Sequence, residues 1–318
     1  MSLNLLIWLV VVALVVLFGW LAARAWRAGN PVMKWGGTVL SGLLTLVFVL
    51  VAFLSAKGLI RVYAPKGSPA PDLQVEGTPE QIARGEHLAN TFCVSCHSPT
   101  GDLPLPGGVD VFADIPAPIG QAISANLTPA GRLSGYTDGE IFRVLREGVD
   151  KDRRPLIIMG VARMRYMSDE DLKSVIAYLR SQPAVENEIP LPFDQPNFLA
   201  AILSGAGMLP PALPPVAGPI VAPPRGETAE FGEYNVTFQD CKICHGEDLR
   251  GGVEGGLTPV GPDLAVVSAW TREQFITTLR TGVDPTGHEL SEEMPWRDIG
   301  KLDDDELAAI HLYLSSLP

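Results

Sequence analysis

Two five-residue stretches carry all four cysteines of this 318-residue chain: Cys93-Val94-Ser95-Cys96-His97 and Cys241-Lys242-Ile243-Cys244-His245. Thiols one helical turn apart, with a histidine directly after the second, have the spacing that fixes a porphyrin. The sulfurs take up its two vinyl groups as thioethers, and the imidazole lies under the iron. A lone pair of such cysteines could be a redox dithiol or half of a zinc site. Two pairs, each followed by histidine and leaving no cysteine over, read as two covalently bound haems c.

An iron held by one histidine leaves its opposite face to be explained. Met159 stands ten residues past Val149 and Met294 eleven past Val283; counted backwards, both lie eight residues before an apolar residue, Met167 or Leu302, that precedes an acidic helix start. The chain has only seven methionines, so alignment from both sides selects Met159 and Met294 as axial ligands beside His97 and His245. A thioether there favours the ferrous state, as electron carriers require. Met164, Met167 and His87 are the competitors at the first iron. Apolar packing is the ordinary role for the two methionines, and a surface or core role for isolated histidines such as His87, His288 and His311.

A proximal histidine hands its other ring N–H to a carbonyl, which fixes the ring and tunes the metal. Gly261-Pro262-Asp263-Leu264 is placed to offer the Pro262 carbonyl to His245. Ala125-Asn126-Leu127 is its counterpart for His97, with a carbonyl but no stiffening proline, so the two haems are expected to differ in potential.

The elements that must hold these groups occur twice. Gly85 and Gly232 precede the two motifs, and Thr137 with Glu140, like Thr271 with Gln274, has the spacing of a helix-capping box. Both of those helices should stop at glycine in the same pair, Gly148-Val149 and Gly282-Val283. Ser168 to Asp171 and Asp303 to Glu306 open a last helix in each repeat, bearing Tyr178 or Tyr313. No alternating β-pattern appears, so each repeat reads as a small all-α domain closed over its haem. The expected division is a transmembrane hairpin (1–64), a tether (65–79), a first domain (80–182), a proline-rich linker (183–225) and a second domain (226–318). Within the linker, residues 198–209 are apolar but too short to span a bilayer; packing against a haem domain is the plain expectation, a membrane or partner surface the alternative.

Residues 2–23 and 35–56 are free of charge, and each stretch can cross a bilayer as a helix. Asn30-Pro31 marks the turn, and Trp20, Trp26 and Trp35 sit where interfacial aromatics belong. Ala23-Arg24-Ala25 would serve as a cleavage site, but the start lacks a basic segment and the apolar run is long for a signal peptide. Haem is attached on the outer side of the membrane. The hairpin turn is therefore expected in the cytoplasm, with the haem domains outside the bacterial cytoplasmic membrane.

Residues 1–66 hold six bases and no acid, whereas the rest carries 36 acids against 18 bases. Such acidity excludes a nucleic-acid partner, whose binding depends on Lys and Arg at phosphates. Residues 191–318 alone hold 19 acids against 7 bases, which suits a basic soluble electron carrier.

The two Cys-x-x-Cys-His motifs, Gly261-Pro262-Asp263-Leu264, Met294-Pro295 and the aromatic-bearing last helix resemble class I cytochromes c. That resemblance covers about 80–182 and 226–318. More narrowly, Cys96-His97-Ser98-Pro99, Asn126-Leu127-Thr128-Pro129 and the segment 168–172 resemble cytochrome subunits of bacterial membrane dehydrogenases. The tandem pair behind an anchor is also similar to the di-haem subunit of cbb-type oxidases. The resemblance implies that Gly85 meets Tyr178, and Gly232 meets Tyr313, where first and last helices cross. Gly160 and Ala125 depart from the family, which usually has proline at both places.

The function expected is a relay of single electrons between a membrane complex and a partner outside the membrane. A dehydrogenase, a quinol-oxidising complex, a terminal oxidase or a photosynthetic reaction centre could be that complex. The competing reading is a di-haem oxidoreductase of peroxidase type, which needs one open iron. The matched methionines oppose it.

Overall fold

The computed structural model describes residues 2–113, 115, 117–189, 194–252 and 259–317. These group into two compact units: Met1–Pro65 with Ile115–Gln121 and Gln195–Pro211, and the remainder, which contains both cysteine motifs.

The first unit is built on two helices, α1 (Ser2–Trp26) and α2 (Pro31–Tyr63), each long and apolar enough to cross a membrane. Asn30 caps α2 by accepting the Val32 N–H at 2.9 Å, and Pro31 occupies the first turn, where a missing N–H costs nothing. Phe18 stacks on Phe48 with ring centroids 5.5 Å apart, and Trp26 meets Trp35 edge-on at 5.3 Å. Leu9, Leu43, Leu46 and Phe53 are among many large apolar side chains left exposed, which suits a lipid surround.

In the second unit α3 (Pro79–Leu88) starts at a capping box made by Thr78 and Gln81. It runs through one π-type turn, Ala89–Cys93, into α4 (Val94–His97), so the first motif continues a helix without a loop. Next come α5 (Asp138–Glu147), the short α6 (Ile157–Val161) carrying Met159, and α7 (Asp169–Ser181). The boxed Thr137 and Glu140 open α5, and left-handed Gly148 (φ 65°) closes it. Where α3 crosses α7, a Cβ on Gly85 would lie 1.8 Å from the Ser174 carbonyl oxygen and 2.8 Å from Tyr178 Cβ. Only glycine lets the two backbones touch.

The apolar stretch after this domain belongs to the first unit and packs on its second long helix, α2. Strand β1 (Gly120–Gln121) pairs antiparallel with β2 (Gln195–Pro196), and α8 (Phe198–Ala206) packs on α2. Cβ atoms on Gly58 and Gly205 would strike the Ala201 and Leu54 carbonyls at 1.7 and 1.8 Å, so the helices meet backbone to backbone. Arg61 adds a hydrogen bond to the Ser204 carbonyl, and buried Asn4 donates to Tyr63 Oη and the Pro196 carbonyl. The expected proline-rich crossing segment is thus partly an element of the first unit. Its residues 190–193 lie outside the described ones. Its later part follows the first haem domain, with the Leu213 N–H on the Gly160 carbonyl and the Asp169 N–H on the Ile220 carbonyl.

The second repeat supplies α9 (Ala229–Phe238), α10 (Cys241–His245), α11 (Arg272–Thr281), α12 (Trp296–Ile299) and α13 (Asp304–Ser315). Its crossing of α9 and α13 copies the first: a Cβ on Gly232 would lie 1.9 Å from the Ala309 carbonyl oxygen and 2.9 Å from Tyr313 Cβ. Phe231, Tyr234 and Phe238 of α9 join the buried cluster of the first repeat, so the two repeats share a core.

Candidate haem-attachment sites

Each motif histidine is oriented by a backbone carbonyl. His97 Nδ1 lies 2.9 Å from the Ala125 oxygen, and His245 Nδ1 lies 2.8 Å from the Pro262 oxygen. The other ring nitrogen, Nε2, is left with a lone pair for a metal. Burial lowers the His97 pKa, which keeps the ring neutral and able to ligate. The main chain repeats the arrangement: the Gly107 N–H bonds the His97 carbonyl at 2.8 Å, and the Gly251 N–H bonds the His245 carbonyl at 2.9 Å. A Cβ on Gly261 would come within 2.6 Å of His245 Nδ1, so this glycine lets the ring lie against the chain.

Cys93, Cys96, His97 and Met159 line one cavity, whose walls include Leu133, Ile141 and other apolar side chains. Two thiols on one rim, a neutral imidazole and a thioether in an apolar cleft are the donor set a c-type haem requires. Met164 lines the same cavity. Met167 is 2% exposed within the core, and its carbonyl accepts from Arg146 at 2.8 Å. His87 turns away to Glu306, Nε2 to Oε2 at 2.6 Å. In the second repeat, Cys241 and Met294 pack together with Trp296 and Tyr313 against one buried cluster. Burial raises the Cys93 and Cys241 thiols to about 12, the free thiols standing for the sulfurs that become thioethers.

Two groups of contacts about these sites depend on tertiary packing. Arg146 at the end of α5 bonds the Arg165 and Met167 carbonyls and Asp169, so it ties the chain after Met159 to the start of α7. Arg280 at the end of α11 does the same, reaching the Gly300 and Leu302 carbonyls and Asp304. Both arginines stand two residues before the repeated Gly-Val, a signal that was present in the sequence. The repeated aspartate after it has a local use: Asp150 Oδ1 accepts the Asp152 and Arg154 N–H groups, and Asp284 Oδ1 those of Thr286 and His288.

The second group joins the repeats with an approximate two-fold exchange. His87, two residues past Gly85, meets Glu306 in the fourth position of the α13 start; Tyr234, two residues past Gly232, donates to Asp171 in the matching position of α7. Arg84 lies between both acids, 2.8 Å from each. Burial alone would raise the Glu306 carboxyl, but His87 and Arg84 hold it down at about 2.

Paired helices crossing at glycine, with a haem-binding motif at the end of the first and a methionine loop before the last, define a cytochrome c domain, here present twice. The family model for cytochrome c matches residues 82–183 and 235–318, and the chain belongs to the cytochrome c family. It is similar to the cytochrome c subunit of alcohol dehydrogenase (quinone) from Gluconacetobacter polyoxogenes, 27% identical over 68% of this chain and 44% of that protein. The gluconate 2-dehydrogenase cytochrome c subunit of Pantoea cypripedii is 26% identical over 74% of this chain and 59% of its own length. The fructose dehydrogenase cytochrome subunit of Gluconobacter japonicus is 30% identical over a shorter stretch, 32% of this chain and 22% of its own. The chain thus spans less than two thirds of the length of each of these relatives.

Proposed function

We propose that the chain is a membrane-anchored di-haem cytochrome c that passes single electrons between a membrane-bound dehydrogenase and an acceptor outside the membrane. The pairing of two such sites in one unit is the observation that carries this reading. Haem c held at the two motifs supplies a one-electron Fe(III)/Fe(II) couple. Cys93, Cys96, Cys241 and Cys244 fix it covalently. His97 and His245, each with its ring held by a backbone carbonyl, would ligate the iron, and Met159 and Met294 would serve as the second protein ligands and keep exogenous ligands out. The relatives, cytochrome subunits of dehydrogenases, favour a dehydrogenase over an oxidase or reaction centre as the membrane partner. The apolar hairpin supports an anchor in the bacterial cytoplasmic membrane, with the haem domains on its outer side.

Intact-mass measurement of the mature protein should give two haem adducts, and the purified complex should contain a dehydrogenase. One adduct, or none, would end this reading. A di-haem peroxidase-type enzyme would instead show prompt binding of cyanide or carbon monoxide at one iron. The acidic second domain suits a basic soluble carrier as the outer partner.

A further inference from the structure

The first cavity is not built by the first repeat alone. Gln239, Asp240, Ile243, Pro295 and Ile299 of the second repeat line it together with Cys93 and Cys96. Ile243 lies between the two cysteines of the second motif, and Pro295 follows Met294. The same few residues are thus wall to the first site and framework to the second. Gln239 is 5% exposed, and its Nε2 has no hydrogen-bond partner among the described residues. A buried amide left unpaired at a cavity wall fits a cavity that holds a further group.

Asp240 occupies the centre of this seam. It holds a left-handed backbone (φ 60°, ψ 8°), a conformation that aspartate tolerates better than most residues with a Cβ. The bend turns its carboxylate toward the first repeat, where Oδ1 accepts the Arg163 N–H at 2.7 Å. The Arg163 guanidinium does not make a close pair with it. That group bonds the Thr237 carbonyl at 3.0 Å and Glu247 at 2.8 Å. Resting on the two-haem reading above, we propose that Asp240 is a charge shared by both haem centres, which lowers the potentials of the two together by stabilising the oxidised form of each.

Its field already reaches the sulfurs of both motifs. After burial, Asp240 contributes to the raised thiols of Cys96 on one side and of Cys241 and Cys244 on the other. A charge in a partly buried seam is screened less than a surface charge and acts over a longer range. Burial raises the Asp240 carboxyl to about 6, with Arg163 pulling the other way, so it is ionised at pH 8. Asp298 lies on the same cavity, paired with Lys301 at 3.0 Å, and also raises the Cys96 thiol, but it is not among the charges acting on Cys241 or Cys244.

The test is a spectroelectrochemical titration at pH 8 of the full-length, haem-loaded protein in detergent. Asp240→Asn keeps the shape and an oxygen for the Arg163 N–H but removes the charge, and both midpoint potentials should rise. Asp240→Glu, which keeps the charge, should return both toward the wild-type values. Glu230→Gln, on an exposed acid at the start of α9, should move neither appreciably. If Asp240→Asn does not load two haems, Asp240→Ser replaces it, with the same expectation. A rise at one centre alone, or at neither, overturns the shared charge. Fewer than two haem adducts in the wild-type protein would overturn the two-haem reading itself, a separate outcome seen by mass before any titration.

Discussion

On the proposed reading, Met294 and Met159 decide whether the irons carry electrons or admit ligands. Met294→Ala should open the second iron: its potential should fall, carbon monoxide should bind the reduced form, and the weak red band of methionine-ligated ferric haem should decline. Met159→Ala should do the same at the first. If Met159→Ala leaves that centre closed and Met164→Ala opens it, the ligand is Met164, which shares the cavity. Optical titration of the three variants separates these outcomes. At this scale much of the site was legible, because its parts are local: cysteines and histidine within five residues, and a carbonyl next to a recognisable Gly261-Pro262. Asp240 was not legible. Its meaning comes from Arg163, 77 residues away in sequence, and no spacing rule connects the two.

Helices deliver these residues, and their crossings are the least forgiving contacts. Gly85→Ala would push a methyl into the Ser174 carbonyl, and Gly232→Ala into that of Ala309. Overpacking of this kind costs about 1–3 kcal/mol, so each variant should melt measurably lower in thermal unfolding followed by circular dichroism. Arg280→Gln tests the loop clamp: without its bonds to Gly300 and Leu302, the Met294 loop should loosen, and carbon monoxide should bind the second centre faster while haem content is unchanged. Capping boxes and glycine stops could be read in advance because each helix end is written into four or five adjacent residues. The destination of residues 198–206 could not. An apolar helix with small residues on one side announces that it packs closely, but not on what, and its partner α2 lies some 140 residues earlier.

For the molecule as a whole, charge governs both internal pairing and outside contact. Glu306 titrates near 2 when folded, below its ordinary 4.5, so its contribution is complete above pH 4.5 and is lost as pH falls toward 2. The shift corresponds to about 3 kcal/mol. Glu306→Gln should therefore flatten the decline of melting temperature between pH 5 and 3, as measured on the haem-loaded protein. Outward, the second domain's excess of acid predicts that association with a basic carrier slows as ionic strength rises, which stopped-flow mixing at several salt concentrations would show. The exchange of Tyr234 for His87, and of Asp171 for Glu306, across one pseudo-two-fold seam has a further consequence. Two separate copies of one protein, docked in this manner, must offer every visitor identical faces. Fusion into a single polypeptide lifts that obligation: each half can evolve its own exterior, one toward the giver and one toward the taker, while the seam between them is never diluted apart.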